Sequence, residues 1–181
     1  MSADAKRDVL DQLAVRVPSV ATLLAGCAHR SRPGSSLRRQ LINFQVKRGF
    51  AAMARSDVDV LVLGYEPDAE VWMRSMSGVG VSDCYRGHDG VRTLYADLDE
   101  AFEDWSWTIR EVTDSGDRLA IRGDFVGYGR TSGVKTALSD GATAIKFSAR
   151  GLVTWQEWFV EPDGWQKALA VIGPPAGGPR K

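Results

Sequence analysis

The stretch from Trp105 to Glu161 constrains the fold of this chain more than any other, because it carries most of the strand-forming sequence. Trp105, Trp107 and Ile109 alternate with Ser106, Thr108 and Arg110, the pattern of a strand over Trp105–Thr113 with one buried face. Asp114-Ser115-Gly116-Asp117 reads as a hairpin turn, with Arg118–Arg130 (RLAIRGDFVGYGR) as the returning strand. Thr131-Ser132-Gly133 marks a bulge or bend before strand residues resume at Val134. Ser139-Asp140-Gly141 is a further turn signal, and Thr143–Ser148 pairs with Leu152–Glu161 (LVTWQEWFVE) across Ala149-Arg150-Gly151. Strands joined by such short connections form an antiparallel sheet.

Upstream the apolar period is helical. Val9, Leu10, Leu13 and Val17 predict a helix over Asp4–Arg16. Pro18 opens a second helix with Val20, Leu23, Leu24 and Cys27 on its apolar face. After the break Ser31–Ser36, with Ser36 as cap, Leu41, Ile42, Phe44, Val46, Phe50 and Met53 predict one long helix over Leu37–Arg55. Ser56-Asp57 caps a short helix through Leu63, Tyr65-Glu66-Pro67-Asp68 reads as a turn, and Glu70–Met76 as a first strand. Gly78 and Gly80 loosen the stretch after it. A helix then starts near Val91, burying Val91, Leu94, Tyr95, Leu98 and Phe102, and a last helical turn covers Trp165–Val171. Helices followed by strands predict an α+β domain. Residues 1–36 read as a helical extension, 37–172 as the domain and 173–181 as a disordered tail.

Charge and composition exclude several classes of function. The chain has 181 residues, 44% hydrophobic and 25% charged, in the range of an ordinary globular domain. Lys+Arg and Asp+Glu both count 23, so no overall field draws it to nucleic acid or membrane, and neither is an expected partner. Residues 1–55 hold ten Lys/Arg and three Asp, net +7, which leaves −7 for the rest. This bias reads as a solvated helical face or as a basic arm for phosphates. Cys27 and Cys84 form no framework, so a reduced, cytoplasmic setting is expected. The apolar run Val17–Ala28 is too short to span a bilayer, and Asp4, Asp8, Asp11 and Arg16 do not suit a signal peptide. Glycine-rich nucleotide loops and a GxSxG elbow are absent, and the few His and Cys lie far apart. The expected chemistry uses no cofactor and no metal.

Arg122 and Asp124 are two apart on one predicted strand and so share a face. Glu157 sits inside Trp155-Gln156-Glu157-Trp158-Phe159. Two carboxylates near an arginine can hold different protonation states, so Asp124 serves as base, Glu157 as acid and Arg122 as their organiser. The alternative is a structural ion pair, or a solvent face of the sheet. His88 suits a cap, a wet site or a base, His29 reads as a surface residue of the second helix, and Asp89 as an N-cap. Trp72, Tyr85, Tyr95, Trp105, Trp107, Phe125, Trp155 and Trp158 are candidate walls for a flat apolar ligand, or plain core.

Taken together, RGFAAMARSDVDVL, YEPDAEVWM, YRGHDGV, TDSGDRL, GYGRTSG and RGLVTWQEWFVEPD resemble, in order and spacing, the SnoaL-like proteins of the nuclear transport factor 2-like superfamily. The resemblance runs from about Leu37 to Ile172 and implies a cone-shaped, strongly bent antiparallel sheet wrapped against helices around a pocket. It also implies a homodimer. The superfamily holds ketosteroid isomerase, polyketide cyclases, scytalone dehydratase, limonene epoxide hydrolase and members that only bind, so the fold selects no reaction. Arg122-x-Asp124 resembles the Arg-x-Asp of limonene epoxide hydrolase, with Glu157 where that enzyme has Asp. Trp72 and Arg74 stand where it has a water-positioning Tyr and Asn, and neither accepts a water proton, which counts against epoxide hydrolysis. The resemblance implies cofactor-free acid–base chemistry on a small apolar or polycyclic metabolite: isomerisation, cyclisation, dehydration or water addition. Asp124, Arg122 and Glu157 would be catalytic, and Trp72, Arg74, Tyr85, Tyr95, Trp107, Phe125 and Trp155 would hold the substrate. The alternative is a non-catalytic carrier or sensor of a hydrophobic ligand.

Overall fold

Short polar residues start most of the helices. Asp8 accepts the Asp11 N–H at 2.7 Å and opens α1 (Val9–Arg16), and Pro18 is the first residue of α2 (Pro18–Arg30). Ser35, one residue before the expected cap, starts α3 (Ser36–Ala54), and Asp57 starts α4 (Val58–Val62). The computed structural model describes residues 7–74, 76 and 80–175. Positions 4–6 of the first expected helix, Gly78, and the expected tail from 176 onward lie outside the described residues.

The strands are β1 (Tyr65–Trp72), β2 (Cys84–Arg86), β3 (Phe102–Asp114), β4 (Arg118–Gly129), β5 (Lys135–Phe147) and β6 (Val153–Phe159). α5 (Gly87–Ala101) follows β2, and α6 (Gly164–Ile172) closes the described chain. One sheet results, in the order β2-β1-β6-β5-β4-β3. It is mixed, because β1 runs parallel to β6 while the other pairs are antiparallel. The fold is thus α+β, with an open six-stranded sheet.

Four local expectations change. Tyr65–Asp68 is the start of β1 and not a turn; Pro67 and Asp68 fall where the β1–β6 register shifts, a site that asks no ladder bond of the proline. That strand ends at Trp72 and not at Met76. Ser139–Gly141 lies within β5, where Asp140 takes a φ of 70° beside the break in register with β4. α5 begins at Gly87, so Asp89 stands in its first turn and caps nothing.

Alternation along each strand sorts residues to two sides. On one side Leu119, Ile121, Ile145 and Val153 pack with Ile42, Val46 and Phe50 of α3. On the other, Ala120, Ala142, Ala144 and Phe159 pack under Trp165, Ala168 and Ile172 of α6. Small side chains on this second face let α6 lie close, and burying its three apolar residues contributes about 5 kcal/mol before ordering costs. The first side faces α2, α3 and α5, and there the sheet encloses a cavity.

Candidate functional site

The cavity has a volume of about 210 Å³ and lies between β4–β6, α3 and the inner face of α2. Ile121, Ile145 and Val153 form its floor, Val46, Phe50 and Met53 one wall, and Ala21, Leu24, Ala25 and Ala28 its roof. α2 therefore closes a space that the sheet and α3 alone would leave open.

Polar groups cluster at one end. The Tyr65 hydroxyl donates to Gln156 Oε1 at 2.5 Å, Gln156 Nε2 donates to Thr143 Oγ1 at 3.0 Å, and Thr143 donates to the Glu157 carbonyl at 3.1 Å. The Tyr65 and Thr143 hydroxyl protons are both committed in this chain, so the Tyr65 oxygen keeps its lone pairs for the cavity. Tyr65 is half-buried and lines this space. Tyr95 also lines the cavity, and its hydroxyl makes no hydrogen bond among the described residues. Burial pushes both phenols well above the usual tyrosine range, and for Tyr95 the nearness of Tyr65 adds to this. Both stay protonated at any physiological pH, and the cavity presents one acceptor and one free donor.

The opposite end is tied shut by charge. Arg38 of α3 grips Asp114 through Nε at 2.6 Å and Nη2 at 3.0 Å, and also donates to the Gly116 carbonyl. Its Nη1 meets the carbonyls of Ala28 and His29 at 3.2 and 2.9 Å, satisfying the C-terminus of α2. His29 is half-buried at the cavity edge, its ring centroid 6.5 Å from that of Phe147, and not a surface residue as its place on the second helix suggested. Among the described residues no group of three His, Cys, Asp or Glu side chains is placed to hold a metal ion.

The expected Arg122–Asp124–Glu157 cluster does not form. Arg122 and Asp124 alternate with Ile121 and Phe125, which sends them to the α6 side, away from the cavity. Arg122 lies 6.0 Å from the Trp165 ring and pairs with Asp140 at 2.7 Å. Asp124 is bound by Arg110, whose hydrogen bonds hold the carboxyl below the usual aspartate range. Glu157 alternates with the inward Gln156 and Trp158 and pairs instead with Arg74 at 3.4 Å. Same-strand spacing put Arg122 and Asp124 on one face correctly, but spacing cannot say which face the cavity takes.

The expected ligand-binding residues divide. Tyr95 is on the cavity wall. Trp107 and Phe125 face inward but line a small apolar annex with Trp158, Met73 and Leu94; the Trp107 and Trp158 rings meet edge-on at 4.9 Å. Tyr85 is core, donating to Asp97 at 2.5 Å and accepting the Ser82 N–H at 2.8 Å. Trp72, Arg74 and Trp155 are on the outer side, Arg74 stacked 4.3 Å over Trp72 and Trp155 under Lys146 at 4.5 Å. His88, half-buried in the first turn of α5, caps nothing: Nε2 lies 3.0 Å from the Tyr65 carbonyl, which can only accept, so the ring donates there and fixes the backbone of β1. Sequence reading missed Tyr65, Gln156 and Thr143. Tyr65 sat in a presumed turn, and Gln156 and Thr143 become a relay only through β5–β6 pairing.

A family model described as SnoaL-like domain matches residues 46–156. No curated protein matches the chain in sequence. Among solved structures, an NTF2-like protein of unknown function from Burkholderia pseudomallei superposes with a TM-score of 0.60 at 19% identity, covering 73% of this chain and 98% of its own. TerC, co-crystallised with polyporic acid, gives 0.57 at 19% identity, with 69% and 95% covered. A protein of ketosteroid isomerase-like fold from Catenulispora acidiphila, in complex with trimethylamine, gives 0.56 at 18% identity, with 72% and 92% covered. At these identities the likeness is one of fold.

Proposed function

The chain belongs to the SnoaL-like domain family, and from that premise we propose that it binds a small, neutral, one- or two-ring ligand in the cavity under α2. The observation that carries this is the Tyr65–Gln156–Thr143 relay beside the free Tyr95 hydroxyl, set into otherwise apolar walls. A ligand hydroxyl or carbonyl belongs at the tyrosines, and its rings lie along Ile121, Ile145 and Val46. A cavity of about 150 Å³ holds benzene, so 210 Å³ suits one or two rings better than a larger polycycle. Both tyrosines remain neutral, and the arginines that reach the cavity, Arg38 and Arg48, are paired with Asp114 and Asp11, so an anionic ligand finds no free arginine there among the described residues. Polyporic acid and trimethylamine bound to relatives of the same fold fit a small-molecule role.

Binding is measured by quenching of tryptophan fluorescence, since Trp158 lines the cavity, with 2-naphthol and naphthalene as probes. Tyr95→Phe lowers affinity for 2-naphthol about tenfold, the worth of one hydrogen bond, and leaves naphthalene unchanged. Equal loss for both probes, or none for either, contradicts the assignment of the polar end.

A second reading, proton transfer on the bound ligand, is favoured by His29, whose ring stands on the cavity wall with no hydrogen bond among the described residues. Exchange of the α-protons of 2-tetralone in heavy water tests it. Faster exchange with the wild type than with His29→Gln supports this role, and equal rates dismiss it.

A further inference from the structure

We propose that the outward side of α1, α2 and α3 seats the protein on an anionic membrane surface. Of the large hydrophobic side chains left exposed among the described residues, six are in these helices or at their junction: Val9, Leu13, Val17, Leu23, Leu37 and Phe44. Leu23 is 63% and Phe44 47% exposed, far more than a soluble helix needs to leave uncovered in one region. Gln45 Nε2 donates to the Leu24 carbonyl at 2.8 Å and Arg38 to that of Ala28, so α2 and α3 run antiparallel, with Leu23 and Phe44 each one residue from the same contact.

The charges around this surface are of one sign. Arg16, Arg30, Arg32, Arg39 and Lys47 are exposed and form no ion pair among the described residues. The other cations of the region, Arg7, Arg38, Arg48 and Arg55, are engaged with Asp57, Asp114 and Asp11. Among the described residues of α1 to α3 and their caps, Asp8 is the one carboxylate without a cation, and it already caps α1. A second copy of the chain docking through the same face would set cation against cation, which disfavours a symmetric dimer here. An acidic protein would need a groove to fit, yet α1 and α2 meet at 113° and present a corner. A lipid surface accepts such a corner, taking the apolar side chains between headgroups while anionic phosphates meet the arginines.

Seating differs from spanning: no single helix is long and apolar enough to cross a membrane, and the inner face of α2 is committed to the cavity roof. The zero net charge of the whole chain predicts no such partner, but charge is read locally, within a screening length of about 10 Å. Membrane seating is a property apart from ligand binding. It places α2 between the cavity and the bilayer, where an apolar ligand partitions.

The test is co-sedimentation of the full chain with phosphatidylcholine vesicles, with and without phosphatidylglycerol, at low salt. Binding to the anionic vesicles alone, released by added salt, is expected. The double variant Leu13→Ser/Leu23→Ser and the charge variant Arg39→Glu/Lys47→Glu each lower the bound fraction about fivefold. Both leave the melting temperature and 2-naphthol affinity unchanged, because these side chains are exposed and do not line the cavity. Equal binding to neutral vesicles, or no binding at low salt, overturns the proposal. So does a concentration-dependent dimer abolished by Leu13→Ser/Leu23→Ser with no vesicle binding, which assigns the patch to a second copy. The naphthol titration is independent, so loss of either result leaves the other standing.

Discussion

Asp124 and Glu66 are two carboxylates that the sequence ranked in the wrong order. Asp124 was the candidate base, but it is held on the α6 side by Arg110 and cannot reach a ligand under α2. Asp124→Asn is therefore expected to leave 2-naphthol affinity unchanged in the fluorescence titration. Glu66 drew no attention beside Pro67, yet it is buried, 3.1 Å from Arg150 Nε. Burial by itself would raise its pKa, but hydrogen bonds from Ser148 and Arg150, with His88 nearby, more than offset this and hold it below the ordinary value of 4.5. With the folded-state pKa depressed, the contribution to stability is full above that ordinary value and is lost as pH falls through the folded-state one. Glu66→Gln should remove about 1 kcal/mol at neutral pH, the Arg150 end being largely solvated. It should also flatten the acid limb of melting temperature against pH. An acid limb as steep as in the wild type would assign the acid sensitivity to other groups.

Gly151 shows how a turn in the sheet positions a helix. Its φ of +77° turns the chain between β5 and β6, and a Cβ there would collide with the Ala25 carbonyl of α2. The roof helix rests directly on this glycine. Gly151→Ala is expected to destabilise by about 2 kcal/mol through backbone strain and displacement of α2. Hydrogen exchange should quicken in α2 more than in β4 and β5; uniform quickening would mean that the roof and the sheet do not separate. The strands themselves were legible: period-two alternation and Asp-Ser-Gly-Asp marked β4 almost to the residue. β3 starts three residues before the expected Trp105, at Phe102, which helical spacing assigns to the end of the preceding helix. β1 was less so. Pro67 and Asp68 are turn formers by local chemistry, and only pairing with β6 made them a bulge.

Asp11 links the N-terminal helices to the rest of the molecule. It is 1% exposed and accepts from Arg48 Nε at 2.5 Å and Arg55 Nη2 at 2.6 Å, tying α1 to α3. Arg7 with Asp57, the N-cap of α4, and Arg38 of α3 with Asp114 at the end of β3 add two further clamps. Four of the ten basic residues of 1–55, Arg7, Arg38, Arg48 and Arg55, are thus engaged in ion pairs that hold this part of the chain down. Asp11→Asn leaves two largely buried guanidinium groups without a counter-charge and should cost about 3 kcal/mol in a urea titration. A loss under about 1 kcal/mol would show that water reaches the arginines and that the clamp is weak.

Residue order alone was enough for the helices, most of the strands and their turns, because spacing and local turn chemistry act over a few residues. It was also enough to put Arg122 and Asp124 on one face, and its motifs pointed to the SnoaL-like family. Packing in three dimensions chose which face meets the cavity, since alternation is symmetric until α6 covers one side and α2 and α3 the other. Packing chose the polar end of that cavity too, where Tyr65, Tyr95, Thr143 and Gln156 come from four separate elements and share no local signal.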